Sequence, residues 1–184
     1  MERAAARLGL GDRSNGTGIV GTPKISDTAL EFTMGARTTT IPGEPMLKMA
    51  WFGDHEVFCD EGEVLGGQDE FPPPLGYMAM ALGFCTLTQV MRIAHMRDLD
   101  ISKAECSVEM DWWSTGSLAH GTAKTGCRGV RSHFDIESSE SPETIAEVVA
   151  QAEAGCYVEN LIRTGAGIDA VIYLNDEEIE AAAV

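Results

Sequence analysis

The chain has 184 residues, with thirteen basic against twenty-nine acidic side chains and a net charge of -16. That length suits one domain with a real core, and the acidic balance argues against phosphate backbones and anionic bilayers, so neither nucleic acid nor membrane is an expected partner. The stretch from Met1 to Asn15 carries Arg3, Arg7 and Arg13 but no apolar run, so no secretory leader is expected and the protein is assigned to the cytoplasm.

Residues 1 to 28 are rich in Gly, Ser, Thr and Arg without sustained periodicity and read as a flexible N-terminal arm, with the folded domain running from 29 to 184. From Ala29 the composition turns β-type, with Phe32, Thr33, Thr38, Thr39, Thr40 and Ile41 in a strand interrupted at Gly35. Pro42-Gly43-Glu44-Pro45 is a turn signal. Met46 to Phe52 and His55 to Cys59, joined by Gly53-Asp54, predict two antiparallel strands. Asp60 to Phe71, acidic and glycine-bearing, reads as a loop.

Pro72-Pro73-Pro74 then opens a predicted helix over Leu75 to Arg97. No charge occurs between Leu75 and Met91, which predicts a helix buried nearly all round, a core element rather than a membrane span. Met80, Gly83, Leu87, Val90 and Ala94 form one apolar stripe, while Met78, Ala81, Leu82, Cys85, Thr88, Gln89, Arg92 and Met96 form the other. Polar groups appear only on the side of Cys85, so that face is expected to meet a site or a second subunit. Taken alone, a cysteine on such a helix is more often a small core hydrophobe than a nucleophile.

Beyond the helix, Ile101 to Trp113 alternates as a strand, with Cys106, Val108, Met110 and Trp112 on one face. Ser114 to Gly129 is polar and glycine-rich, a turn with a short strand, and Val130 to Glu137 alternates again. Ser141-Pro142-Glu143 signals a helix start. The helix is expected to reach about Leu161, with Ile145, Val148, Val149, Ala152, Cys156 and Leu161 facing inward. Ile168 to Leu174 is a last strand before an acidic, alanine-rich tail. The element order predicts an α+β domain.

Five cysteines, Cys59, Cys85, Cys106, Cys127 and Cys156, are an odd number without CxxC spacing, and His55, His95, His120 and His133 are scattered. No metal or cofactor is expected, and a disulfide here would be transient rather than structural.

The run Asp60-Glu61, Leu65-Gly66-Gly67-Gln68-Asp69, Pro72, Pro74, Ala79 and Ala81-Leu82-Gly83-Phe84-Cys85, followed by Ala152-Glu153-Ala154-Gly155-Cys156-Tyr157-Val158, resembles the OsmC/Ohr family of osmotically inducible and organic-hydroperoxide-resistance proteins. The resemblance spans roughly Val57 to Leu174. It implies an intertwined homodimer in which antiparallel sheets pack around two central helices, so that residues 29 to 184 form an OsmC-like domain. It further implies a thiol peroxidase in which Cys85 is the peroxidatic thiolate and Cys156 the resolving thiol. The substrate would be a small hydrophobic hydroperoxide, and the reductant a dithiol such as a lipoylated protein.

A thiolate on an apolar helix needs a nearby cation. Arg92 lies two turns beyond Cys85 on the same stripe, and is equally read as a helix-end ion pair with Asp98, Asp100 or a partner carboxylate; the resemblance makes Arg37, on an early strand, the other candidate. Met78, Leu82 and Phe84, with Tyr77 or Trp51, are candidates to line the pocket. Where the family has a glutamate after the helix-opening proline, this chain has Leu75-Gly76-Tyr77, and where it commonly has proline after the second cysteine, this chain has Tyr157. The alternative reading is a non-enzymatic OsmC-like dimer that binds a small hydrophobic ligand at its interface.

Overall fold

A computed structural model describes residues 19–179 of the chain. It is an α+β structure of antiparallel sheets and three helices, divided into two compact units at Met78/Ala79, inside the longest helix.

In the first unit, β1 (Ile19–Ile25) pairs with β2 (Leu30–Met34) as an antiparallel hairpin, closed by the Ser26 amide donating to the Ala29 carbonyl at 2.9 Å. This hairpin takes in the last described residues of the expected arm; residues 1 to 18 lie outside the described residues. A second sheet runs in the order β3 (Arg37–Ile41), β4 (Glu44–Phe52), β5 (His55–Cys59). The break between β2 and β3 falls at Gly35-Ala36, next to the predicted interruption, and Gly53 adopts the left-handed conformation that the β4–β5 turn requires. Leu47, Met49 and Trp51 alternate inward along β4 and join Ile41 and Phe58 in a core against which Phe71 packs.

The loop after β5 is tied by one side chain. Asp60 is only 2% exposed, and its carboxylate accepts the amides of Glu61 at 2.8 Å, Gln68 at 3.0 Å and Glu70 at 3.3 Å. Burial pushes this carboxyl upward, but the amides of Gln68, Glu61 and Glu70, aided by Lys48, hold it below its ordinary value. Gly67 sits so close to the chain it returns past that a Cβ there would lie 1.8 Å from the Glu61 carbonyl oxygen.

Helix α1 (Pro74–Met96) begins at the third proline, as predicted. By length and composition alone it could cross a bilayer. Its buried residues are Leu82, Gly83, Thr86, Val90 and Ala94, one stripe three to four residues apart. Burial nearly all round, expected from the absence of charge, is not what the chain has. Phe84 is 69% exposed, Met91 44% and Met96 70%, because among the described residues the helix packs along one face.

The second unit continues with β6 (Ile101–Thr115) and β7 (Lys124–Ser138), a long antiparallel pair. The region read as turn plus short strand is thus the tip and first half of β7, and pairings from Thr115↔Lys124 to Trp112↔Cys127 carry Gly126 within the ladder. α2 (Pro142–Gly155) starts where predicted, with the Ser141 hydroxyl accepting the Thr144 amide at 3.2 Å. The single helix expected to reach Leu161 is in fact two, since Cys156 adopts an extended conformation and a separate α3 (Tyr157–Thr164) follows. Leu161 accordingly leaves the inward stripe and is half exposed, whereas Val148, Ala152 and Cys156 are fully buried. Val90, Val148 and Ala152 form the core of this unit, with Ile93, Leu99, Ile101, Ala104, Phe134 and Ile136 packed around it. A short hairpin, β8 (Ile172–Leu174) and β9 (Glu177–Ile179), ends the described chain, its second strand lying in the expected tail.

Candidate functional site

Cys85 stands at mid-length on α1, half-buried, beside the buried stripe that includes Leu82 and Thr86. Cys156 is fully buried at the joint between α2 and α3. The fold brings these two side chains close enough to influence each other, Cys156 lying against Thr86, the residue next to Cys85, and both are free thiols.

The joint explains how. The Cys156 amide donates to the Glu153 carbonyl at 3.2 Å and so finishes α2, while its sulfur accepts the Glu159 amide at 3.4 Å and so caps α3. Asn160 locks the bend, its side-chain amide donating to the carbonyls of Ala154 at 2.9 Å and Cys156 at 2.8 Å. Thr86 supports the second sulfur from α1. Its hydroxyl donates to the Leu82 carbonyl at 3.0 Å and lies 3.4 Å from the Cys156 sulfur.

Two opposed influences set the acidity of Cys85. Burial, the larger, pushes the thiol up, as does the neighbouring Cys156, while the nearby backbone amides of Val158 and Tyr157 favour the thiolate. The net direction is upward. Chemically the arrangement is a half-buried thiol with a second, fully buried thiol and two backbone amides near it.

The two candidate arginines have other contacts. Arg92 is exposed, with its guanidinium 3.5 Å from the Gln89 side-chain oxygen rather than on Asp98 or Asp100. Arg37 belongs to the first unit, where its guanidinium lies 4.3 Å from the centre of the Trp51 ring. The expected pocket residues are dispersed as well. Leu82 lines a cavity of about 500 Å³ together with Val130, Ile162, Arg128, Glu159 and Arg163. Phe84 instead lines an open groove with Leu87, Met91, Arg92 and His95. In the first unit, Tyr77 donates its hydroxyl to the Phe58 carbonyl, and Trp51 is core.

Sequence reasoning missed Thr86, the amides of Tyr157 and Val158, and Glu159, whose side chain is nearly buried and pairs with the Arg163 guanidinium at 2.9 Å. Thr86 was detectable as the hydroxyl next to Cys85. A backbone donor leaves no trace in residue identity, and a cysteine is not among the residues that signal a helix cap.

The sequence pattern of the OsmC-like protein family matches residues 67–170. Among solved structures, an OsmC-like protein from Mycoplasma pneumoniae is similar with a TM-score of 0.57 at 20% identity, over 71% of this chain and 89% of that one. An organic hydroperoxide resistance protein from Elizabethkingia anophelis gives 0.56 at 16% identity, over 73% and 91%. An OsmC-like hydroperoxide resistance protein from Jannaschia sp. CCS1 gives 0.54 at 18% identity, over 79% and 96%. At these identities the likeness is one of fold. No curated protein matches the chain.

Proposed function

This chain belongs to the OsmC-like protein family, and from that premise we propose that it is a cysteine-based thiol peroxidase acting on small organic hydroperoxides. The observation that carries the reading is the proximity of Cys85, on α1, to Cys156, at the joint of α2 and α3, two thiols far apart in sequence. The accessible sulfur attacks and the buried one resolves. The Cys85 thiolate attacks the terminal oxygen of the hydroperoxide, the O–O bond breaks, and the departing alkoxide takes a proton to leave as an alcohol. Cys85 is then a sulfenic acid. The Cys156 thiolate attacks that sulfur, forming the disulfide and releasing the hydroxyl, with a proton, as water. A dithiol reductant such as a lipoylated protein reduces the disulfide by exchange, returning two thiols and becoming oxidised itself. Arg37 and Arg92 are the proposed cations of the site.

The assembly proposed is a homodimer in the cytoplasm, its OsmC-like domain spanning residues 29 to 184 behind an arm of residues 1 to 28. The exposed apolar groove of Phe84, Leu87 and Met91 supports a second copy as its cover. The activity is tested with cumene hydroperoxide and dihydrolipoamide. Consumption of peroxide that Cys85→Ser abolishes, with a Cys85–Cys156 disulfide found by mass spectrometry, is the expected result; no turnover and no disulfide overturns it.

One observation favours a second reading, a non-enzymatic dimer holding a small hydrophobic ligand at its interface: burial pushes the Cys85 thiol up. An alkylation midpoint for Cys85 above the free-thiol value of about 8.5, combined with no turnover, selects that reading.

A further inference from the structure

The buried stripe of α1 carries one hydroxyl. Thr86 is 1% exposed and shares the stripe with Leu82, Gly83, Val90 and Ala94, a setting in which an aliphatic side chain would pack at least as well. Its hydroxyl has one hydrogen and two acceptors within reach, the Leu82 carbonyl at 3.0 Å and the Cys156 sulfur at 3.4 Å. That carbonyl lies four residues back in the same helix and takes the Thr86 amide in the helical ladder, so it does not depend on the hydroxyl. The sulfur is in a different position. The Glu159 amide reaches it at 3.4 Å, and Cys156 is fully buried, so bulk water cannot replace either donor.

We infer that Thr86 is a positioning residue for the resolving thiol, its hydroxyl turning from the Leu82 carbonyl to the Cys156 sulfur when that sulfur becomes a thiolate. The step it serves rests on the peroxidase reading. A neutral thiol is a weak acceptor and leaves the hydrogen on the carbonyl, whereas a thiolate draws it across into a charge-assisted bond. The β-branched side chain is stiff about χ1, so the oxygen keeps its place and only the O–H rotates. The buried charge then has donors from two helices, Thr86 of α1 and the first turn of α3. Thr86 also follows Cys85 in the chain, so the same bond fastens the resolving sulfur to the helical turn that carries the attacking one. In the cycle, the Cys156 thiolate attacks the sulfur of the Cys85 sulfenic acid, the S–O bond breaks, and the hydroxyl departs as water with the proton that Cys156 gave up. With the disulfide formed the charge is gone, and the hydroxyl returns to Leu82.

The test isolates the attack by Cys156 from the reaction with peroxide. In the full-length protein, Cys85 is capped by dithiobis(nitrobenzoate) as a mixed disulfide. The Cys156 thiolate then attacks the Cys85 sulfur, the bond to the reagent breaks, and thionitrobenzoate leaves with the electron pair. Mass spectrometry of acid-quenched samples gives the rate at which the Cys85 adduct becomes the Cys85–Cys156 disulfide. Thr86→Val keeps the shape and deletes the donor, Thr86→Ala deletes it with a residue that favours the helix, and Thr86→Ser keeps it. Both donor-less variants are expected to slow the conversion by roughly ten- to a hundredfold, the loss of one hydrogen bond to a charged sulfur. Capping of Cys85 should proceed at the parent's rate in all three, and Thr86→Ser should restore most of the conversion. A donor-less variant within about twofold of the parent, or a Thr86→Ser rate as low as theirs, overturns the inference. A parent that never closes the disulfide overturns both the inference and the peroxidase reading. A protein in which the hydroxyl governs the conversion but cumene hydroperoxide is not consumed overturns the peroxidase reading alone, and leaves the hold of Thr86 on Cys156 standing.

Discussion

Replacing Asp60 by alanine removes the acceptor of three backbone amides in the loop that leads to α1. Each amide left buried without an acceptor costs about 1–3 kcal/mol. The 3.3 Å bond to Glu70 is the weakest of the three, and some water will enter the space vacated, so the total is set at about 3 kcal/mol. Urea denaturation followed by tryptophan fluorescence reads it, since Trp51 lies in the core of the same unit. With a slope of about 2 kcal/mol per molar urea for a chain of this size, the midpoint should fall by about 1.5 M. The effect must also depend on pH. The Asp60 carboxyl is held below its ordinary value in the fold, so its contribution is fully present above the unfolded value of about 3.9 and is lost as pH falls through the lower folded value. The gap between parent and Asp60→Ala should therefore be widest at neutral pH and narrow in acid below about pH 4. A variant within about 0.5 kcal/mol of the parent at pH 7, or a gap that does not close in acid, would refute the account of this loop.

Three further outcomes are expected. Cys156→Ser keeps a hydroxyl oxygen to cap α3 but removes the resolving sulfur, so peroxide treatment should leave a Cys85 sulfenic acid that dimedone traps in high yield, and the parent should give little adduct. Gly67→Ala forces a methyl group into the Glu61 carbonyl and the Asp60 carboxylate, and should destabilise the protein by about 3 kcal/mol in the same urea assay, without any change in net charge. Phe84→Glu places a charge in the exposed groove of α1; sedimentation should show the proposed dimer shifting to monomer, whereas Val64→Glu, at a fully exposed position in the short 3-10 turn Glu63–Leu65, should leave the assembly as it was.

Elements that depend on local chemistry were legible in the sequence. The prolines opened α1, Ser141-Pro142 opened α2, and Gly53 turned β4 into β5, each through a backbone preference that acts at short range. What escaped depends on distant partners. β7 is held through its glycines by the register of β6, and the exposure of Phe84 and Met91 reflects which surfaces the rest of this chain supplies. For the site, the two cysteines could be singled out by the helices they were placed on, but their contact could not be read from spacing. It arises because α2 stops one residue short of Cys156 and a new helix starts one residue after it, a break that the continuous apolar stripe from Val148 onward concealed.

That break fixes more than a direction of travel. Since Cys156 both ends one helix and caps the next, its backbone amide is held by the Glu153 carbonyl on one side and its sulfur by the Glu159 amide on the other. A substitution that straightened the joint into one uninterrupted helix would rotate the thiol off its mark while leaving every residue of the pair in the sequence. Two cysteines with this spacing would then persist as a signature with no chemistry behind it.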